Sequence, residues 1–86
     1  MPEISRFFGI IIRMYFDDHP PPHFHAVYGK HEAQIAINPM TILRGHLPRR
    51  AKSMVLEWAA LNQTELMRNW ERLHNDRPAQ KIEPLD

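Results

Sequence analysis

The segment His19-Pro20-Pro21-Pro22-His23-Phe24-His25 places three imidazoles within seven residues, on a backbone stiffened by three prolines. Imidazole has the unperturbed pKa nearest neutrality, so it suits both proton transfer and metal ligation. His23 and His25 are alternate residues, and on a strand their rings leave the sheet in the same direction. Two such rings can chelate one divalent ion, with His19 or Asp17 as a third ligand. Without a metal or any other cofactor the same residues can do acid–base work. One imidazole removes a proton and the other donates, Asp17 orients His23, and Arg13 holds an anionic group. That equipment suffices for RNA cleavage through the 2′-hydroxyl, where the substrate supplies its own nucleophile. The plain alternative is a polar interface for a partner protein.

The elements that must position these groups follow from periodicity. Ile10 to Phe16 is β-branched and aromatic and ends in a turn cluster, which predicts a strand. His23 to Tyr28 predicts a second, Gly29-Lys30 a type II′ turn, and Glu32 to Ile37 a third. Asn38-Pro39 ends it, and Thr41 to Arg44 reads as a short fourth strand before Gly45. Requiring the apolar faces to coincide pairs Phe24 with Ile35 and Ala26 with Ala33. In the first hairpin it pairs Met14 with Ala26, Phe16 with Phe24, Tyr15 with His25 and Asp17 with His23. The opposite, uncovered face then collects Arg13, Tyr15, Asp17, His23, His25, Glu32 and Gln34. Tyr15 is the stacking candidate there. The three prolines are expected to form a polyproline II connector.

From Leu47 the period becomes helical, with Ala51, Val55, Trp58, Leu66, Trp70 and Leu73 on one stripe. Pro48 suits the first helical position. Asn62-Gln63-Thr64-Glu65 resembles a capping box, so the stripe is either one long helix to about His74 or two shorter ones. The unbroken helix is the favoured expectation. The fold class is therefore α+β: a small antiparallel β-meander of three to four strands with C-terminal helix packed on one face. It is one domain, with the meander over 1–46, the helical part over 47–74 and an extended tail over 75–86. Ile82 and Leu85 are candidates to dock that tail on the body or on a partner.

Eighty-six residues leave room for only a thin core. The absence of cysteine rules out disulfides and thiolate metal sites and fits a cytoplasmic protein. No signal peptide and no apolar run long enough for a bilayer is visible, so no membrane partner is expected. The net charge of +1 is uninformative, but Arg44, His46, Arg49, Arg50 and Lys52 form a basic stretch without an acid. Arg44, Arg49, Arg50 and Lys52 are thus candidates for binding phosphate or an acidic partner, the alternative being a solvated helix start.

The opening Met1-Pro2-Glu3-Ile4-Ser5-Arg6-Phe7-Phe8-Gly9 and the His19–Gly29 segment resemble the small bacterial proteins catalogued as domain of unknown function 4160. Leu47-Pro48-Arg49-Arg50-Ala51, Leu56-Glu57-Trp58, Asn69-Trp70 and Lys81-Ile82-Glu83-Pro84-Leu85 continue the resemblance. Three prolines stand where the family more often has two. The resemblance implies a neighbouring small protein of the domain of unknown function 2442 type. It also implies a type II toxin–antitoxin arrangement, with this chain as toxin and a cognate antitoxin as partner. It carries no catalytic residues, so the candidates above rest on the face pattern. A non-catalytic protein- and DNA-binding module and a small metal-dependent enzyme are the competing functions. A homo-oligomer is compatible with all three.

Overall fold

The computed structural model describes residues 3–86. Five strands, β1 (Glu3–Phe7), β2 (Ile10–Arg13), β3 (His23–Tyr28), β4 (His31–Ile37) and β5 (Met40–Gly45), form an antiparallel sheet in sequential order. Helices α1 (Arg49–Leu61) and α2 (Gln63–Leu73) follow. The α+β meander is as expected, with one strand more, and of the two helical alternatives the structure takes the two shorter helices.

The added strand is β1, which pairs with β2 through Phe8 (φ +48) and Gly9 (φ +79). Two successive positive φ values make the mirror-image turn whose twist suits a two-residue hairpin. A register shift between Glu3 and Ser5 leaves both Ile4 and Ser5 buried, which erases the period of two that would have announced a strand.

The β3–β4 register matches expectation: Phe24 faces Ile35, Ala26 faces Ala33, and Tyr28 and His31 flank the turn. Gly29 has φ +59 and Lys30 does not share the positive φ, as a type II′ turn requires. The β2–β3 register is displaced by two residues from expectation. Ile12 faces Ala26 and Arg13 faces His25, because β2 stops at Arg13 and Met14–Pro22 is a loop. Prolines donate no hydrogen bond and push their predecessor to extended geometry, so the segment before His23 offers β2 no N–H donors. An even displacement keeps every side chain on its face, so Met14 is still buried. Phe16, expected opposite Phe24, is instead 68% exposed on the loop. The proline run bends at Pro20 and Pro21, whose shared peptide is cis, rather than forming one polyproline II segment.

The expected unbroken helix is interrupted at Asn62 (φ −120, ψ 25). Its side chain makes no capping bond to α2 and instead donates to Trp58 O at 2.8 Å. Gln63 reaches across to Ile37 O at 2.6 Å. The helices bury Ala51, Val55, Trp58, Ala59, Leu66 and Trp70 against Ile10, Ile12, Phe24, Ile35 and Ile37 of the sheet.

The tail docks on the body of the chain. Ile82 N donates to Ile4 O at 2.8 Å, at the outer side of β1, and Ile82 is buried. Fully buried Asn69 clamps Gln80 by two bonds, giving Nδ2–H to Gln80 O and accepting Gln80 N–H on Oδ1. Trp58 Nε1–H donates to Glu83 O at 2.8 Å. Each bond satisfies a polar group that burial would otherwise penalise.

Candidate functional site

One polar row crosses the whole sheet, because Glu3, Arg13, His25, Gln34 and Arg44 are successive cross-strand partners. At its β1 end the Glu3 carboxyl is held below the usual carboxylate range, chiefly by a hydrogen bond from Arg6. Arg13 is half-buried, and its Nε has no hydrogen-bond partner among the described residues.

The chemistry concentrates around β3. His23 and His25 share a face, with ring centroids 5.3 Å apart. Both are buried, at 6% exposure, which corrects the expectation of an open polar surface. The Met14–Pro22 loop folds over them. Tyr15 meets His25 edge-on with centroids 4.8 Å apart, so it packs on the imidazole rather than standing free for a base. Trp70 lies 5.4 Å from the His23 ring, with His74 stacked on it at 4.1 Å.

Asp18 joins the two imidazoles. Its Oδ2 lies 2.9 Å from His25 Nε2 and 3.4 Å from His23 Nε2. The far side of each ring is also engaged: His23 Nδ1 with Pro21 O at 2.8 Å, His25 Nδ1 with Glu32 Oε2 at 3.0 Å. Asp18 is itself fixed by His74, whose Nε2 bonds Asp18 O at 2.9 Å. Both imidazole planes and the carboxylate are thus set by neighbours, which is what a preorganised site requires.

Of the expected residues, Arg13, Tyr15, His23 and His25 come together. Asp17 does not: it is exposed on the loop, and its neighbour Asp18 takes the place beside the rings. His19 is exposed and stands outside the Asp18–His23–His25 group, so the expected His19 ligand gives way to Asp18. A shallow groove lined by Asp18, His19, Pro20, Pro21, His23, Gln34, Leu43 and Arg44 adjoins the cluster. The basic stretch divides between elements, Arg44 on β5 and Arg49, Arg50 and Lys52 in the first turns of α1, all four exposed. Glu32, Trp70 and His74 also belong to the site, although the helical period assigns Trp70 only to the core stripe and His74 only to a helix end. Glu32 was at least placed on the correct face by alternation.

The family model described as Domain of unknown function (DUF4160) matches residues 9–71. The chain belongs to that family. The matched span takes in the whole Asp18–His23–His25–Glu32 constellation and stops before His74 and the docked tail. No curated protein and no solved structure matches the chain. No helix among the described residues is long and apolar enough to cross a membrane.

Proposed function

We propose that this DUF4160 protein is the toxin component of a type II toxin–antitoxin pair and that it cleaves RNA at the Asp18–His23–His25 centre. The observation that carries the reading is a titratable cluster buried inside an 86-residue domain yet adjoining a groove that holds a cation, Arg44. Burying polar and charged groups costs stability unless every one is matched, so a small core gains nothing from this arrangement by itself. In the proposed reaction Arg44 neutralises a phosphodiester in the groove. The centre accepts the proton of the neighbouring 2′-hydroxyl, whose oxygen attacks phosphorus. The 5′-oxygen then leaves with a proton, and a cyclic phosphate forms. The cognate antitoxin is a second small protein encoded beside this one.

Induced expression of the chain alone in a bacterial host is expected to arrest growth, and co-expression of the neighbour to restore it. His25→Ala should abolish the arrest, since it removes one of the three side chains that form the centre. Undisturbed growth at high expression refutes the toxin. Full arrest by a folded His25→Ala variant refutes the centre.

A second reading is favoured by one observation. The first turn of α1 carries Arg49, Arg50 and Lys52 nearby but no acid, although the helix dipole favours acids there. That placement suits a non-catalytic module that presents the helix start to DNA. The double variant Arg49→Glu/Arg50→Glu should then reduce the slope of log affinity against log salt by about two. An unchanged slope, measured by fluorescence anisotropy on duplex DNA, dismisses this reading.

A further inference from the structure

We propose that Asp18, His23 and His25 form a site for one divalent transition-metal ion, with Zn²⁺ as its representative. Pro21 O can only accept a hydrogen bond, so His23 Nδ1 carries the hydrogen. His25 lies between two carboxylates, Glu32 Oε2 at Nδ1 (3.0 Å) and Asp18 Oδ2 at Nε2 (2.9 Å), and a neutral ring has a hydrogen for only one of them. With that hydrogen directed at Glu32, both rings turn a lone pair on Nε2 towards one oxygen, Asp18 Oδ2, at 3.4 and 2.9 Å. Three electron-rich atoms share that space only with positive charge between them. One proton on His25 meets both of its carboxylates but leaves the His23 Nε2 lone pair facing Asp18 Oδ2; a second proton makes two buried cations with centroids 5.3 Å apart. His23 fares worst in that state, because 3.4 Å is a poor hydrogen bond to an oxygen already engaged by His25. One divalent ion removes the conflict with both rings neutral.

The distances agree. Ligand bonds of about 2.0–2.2 Å at tetrahedral or octahedral angles separate neighbouring donor atoms by about 2.8–3.6 Å. The three candidate ligand atoms all lie within 4.8 Å of one another, and a small inward turn of the imidazoles closes the remaining gap. The outer contacts are those a metal-bound histidine needs, a carbonyl or carboxylate on the other ring nitrogen. Two imidazoles and one carboxylate suit Zn²⁺, Fe²⁺ or Ni²⁺, whereas Mg²⁺ and Ca²⁺ take oxygen ligands. Three protein ligands leave a position for water or substrate, on a cluster that borders the Arg44 groove.

The inference concerns occupancy and does not rest on the RNA reading. Its test therefore reads binding alone. Untagged, chelator-treated protein is titrated with Zn²⁺ by calorimetry and with Co²⁺ by visible absorption. One equivalent of Zn²⁺ and d–d bands from bound Co²⁺ are expected. Asp18→Asn and His25→Ala should weaken binding by roughly 100-fold or more, and Glu32→Gln by about 10-fold. His31→Ala serves as control, because His31 and His46 form another close histidine pair, with centroids 5.9 Å apart. It should bind as the wild type does. Circular dichroism verifies folding, which Asp18→Asn retains because that side chain lies on a loop and is partly exposed. Wild-type affinity in Asp18→Asn overturns the site, as does Mg²⁺ binding as tight as Zn²⁺, or no stoichiometric binding.

Discussion

Trp58→Ala is expected to lower stability by about 3–5 kcal/mol, the usual cost of removing a buried tryptophan. A domain of this size has a total stability of roughly 4–13 kcal/mol, so the variant should lose a large share of it and melt well below the wild type. Trp58 is fully buried, contacts Phe7 with centroids 5.3 Å apart, and meets Phe24 edge-on at 6.0 Å. It also donates to Glu83 O, so its loss frees the tail as well as opening a cavity. Trp58→Phe keeps an aromatic ring and loses the N–H, and should be distinctly less damaging, with the lost hydrogen bond accounting for about 1 kcal/mol. Thermal melts followed by circular dichroism decide the matter. A drop of roughly 12 °C or more is expected for Trp58→Ala, and a melt within a few degrees of wild type would contradict the assigned packing.

Gly45→Ala should be nearly as harmful, for a different reason. Gly45 has φ +86, and a methyl group there would stand 2.1 Å from Glu32 O and 3.0 Å from Ala33 Cα. Neither atom is the tip of a flexible side chain. The backbone of β4 or β5 must give way, and with it the bond from His46 N to Glu32 O. The expected cost is roughly 2–4 kcal/mol. Gly29→Ala is the matched comparison, since Gly29 also has positive φ (+59) but open space where the methyl would go. It should cost only about 1–2 kcal/mol, the left-handed penalty alone. The two variants differ in reach as well. Gly45→Ala displaces the backbone that carries Glu32, so the imidazole resonances of His25 should shift, whereas Gly29→Ala should leave them in place. Equal losses of stability would remove the claim that Gly45 is fixed by contact.

The sheet was legible wherever apolar residues alternate. His23–Tyr28 and Glu32–Ile37 announce both their faces and their mutual register. β1 stayed hidden because its irregularity buries adjacent Ile4 and Ser5, which no alternating pattern describes. The helix break at Asn62 was visible as one of two alternatives, but permissive propensity there favoured the unbroken helix. The break follows from contacts distant in sequence, above all Gln63 with Ile37 O. For the site, alternation found His23, His25, Arg13 and Glu32 but continued one element too far. Extending β2 through Asp17 assigned that residue to the rings, whereas a loop puts Asp18 there. Trp70 and His74 reach the site only through the docking of α2, which no local pattern encodes.

The fastening of residues 80–83 has a consequence for biosynthesis. A ribosome releases β1 first, yet Ile4 O meets Ile82 only near the far end of the described chain, Trp58 Nε1 its partner 25 residues on, and Asn69 its partner 11 residues on. The sheet and helices can emerge and collapse, but the native interior stays open until that segment has cleared the exit tunnel. Completion of this fold therefore waits on residues 80–83, and a nascent chain halted at the end of α2 would remain within reach of chaperones and proteases.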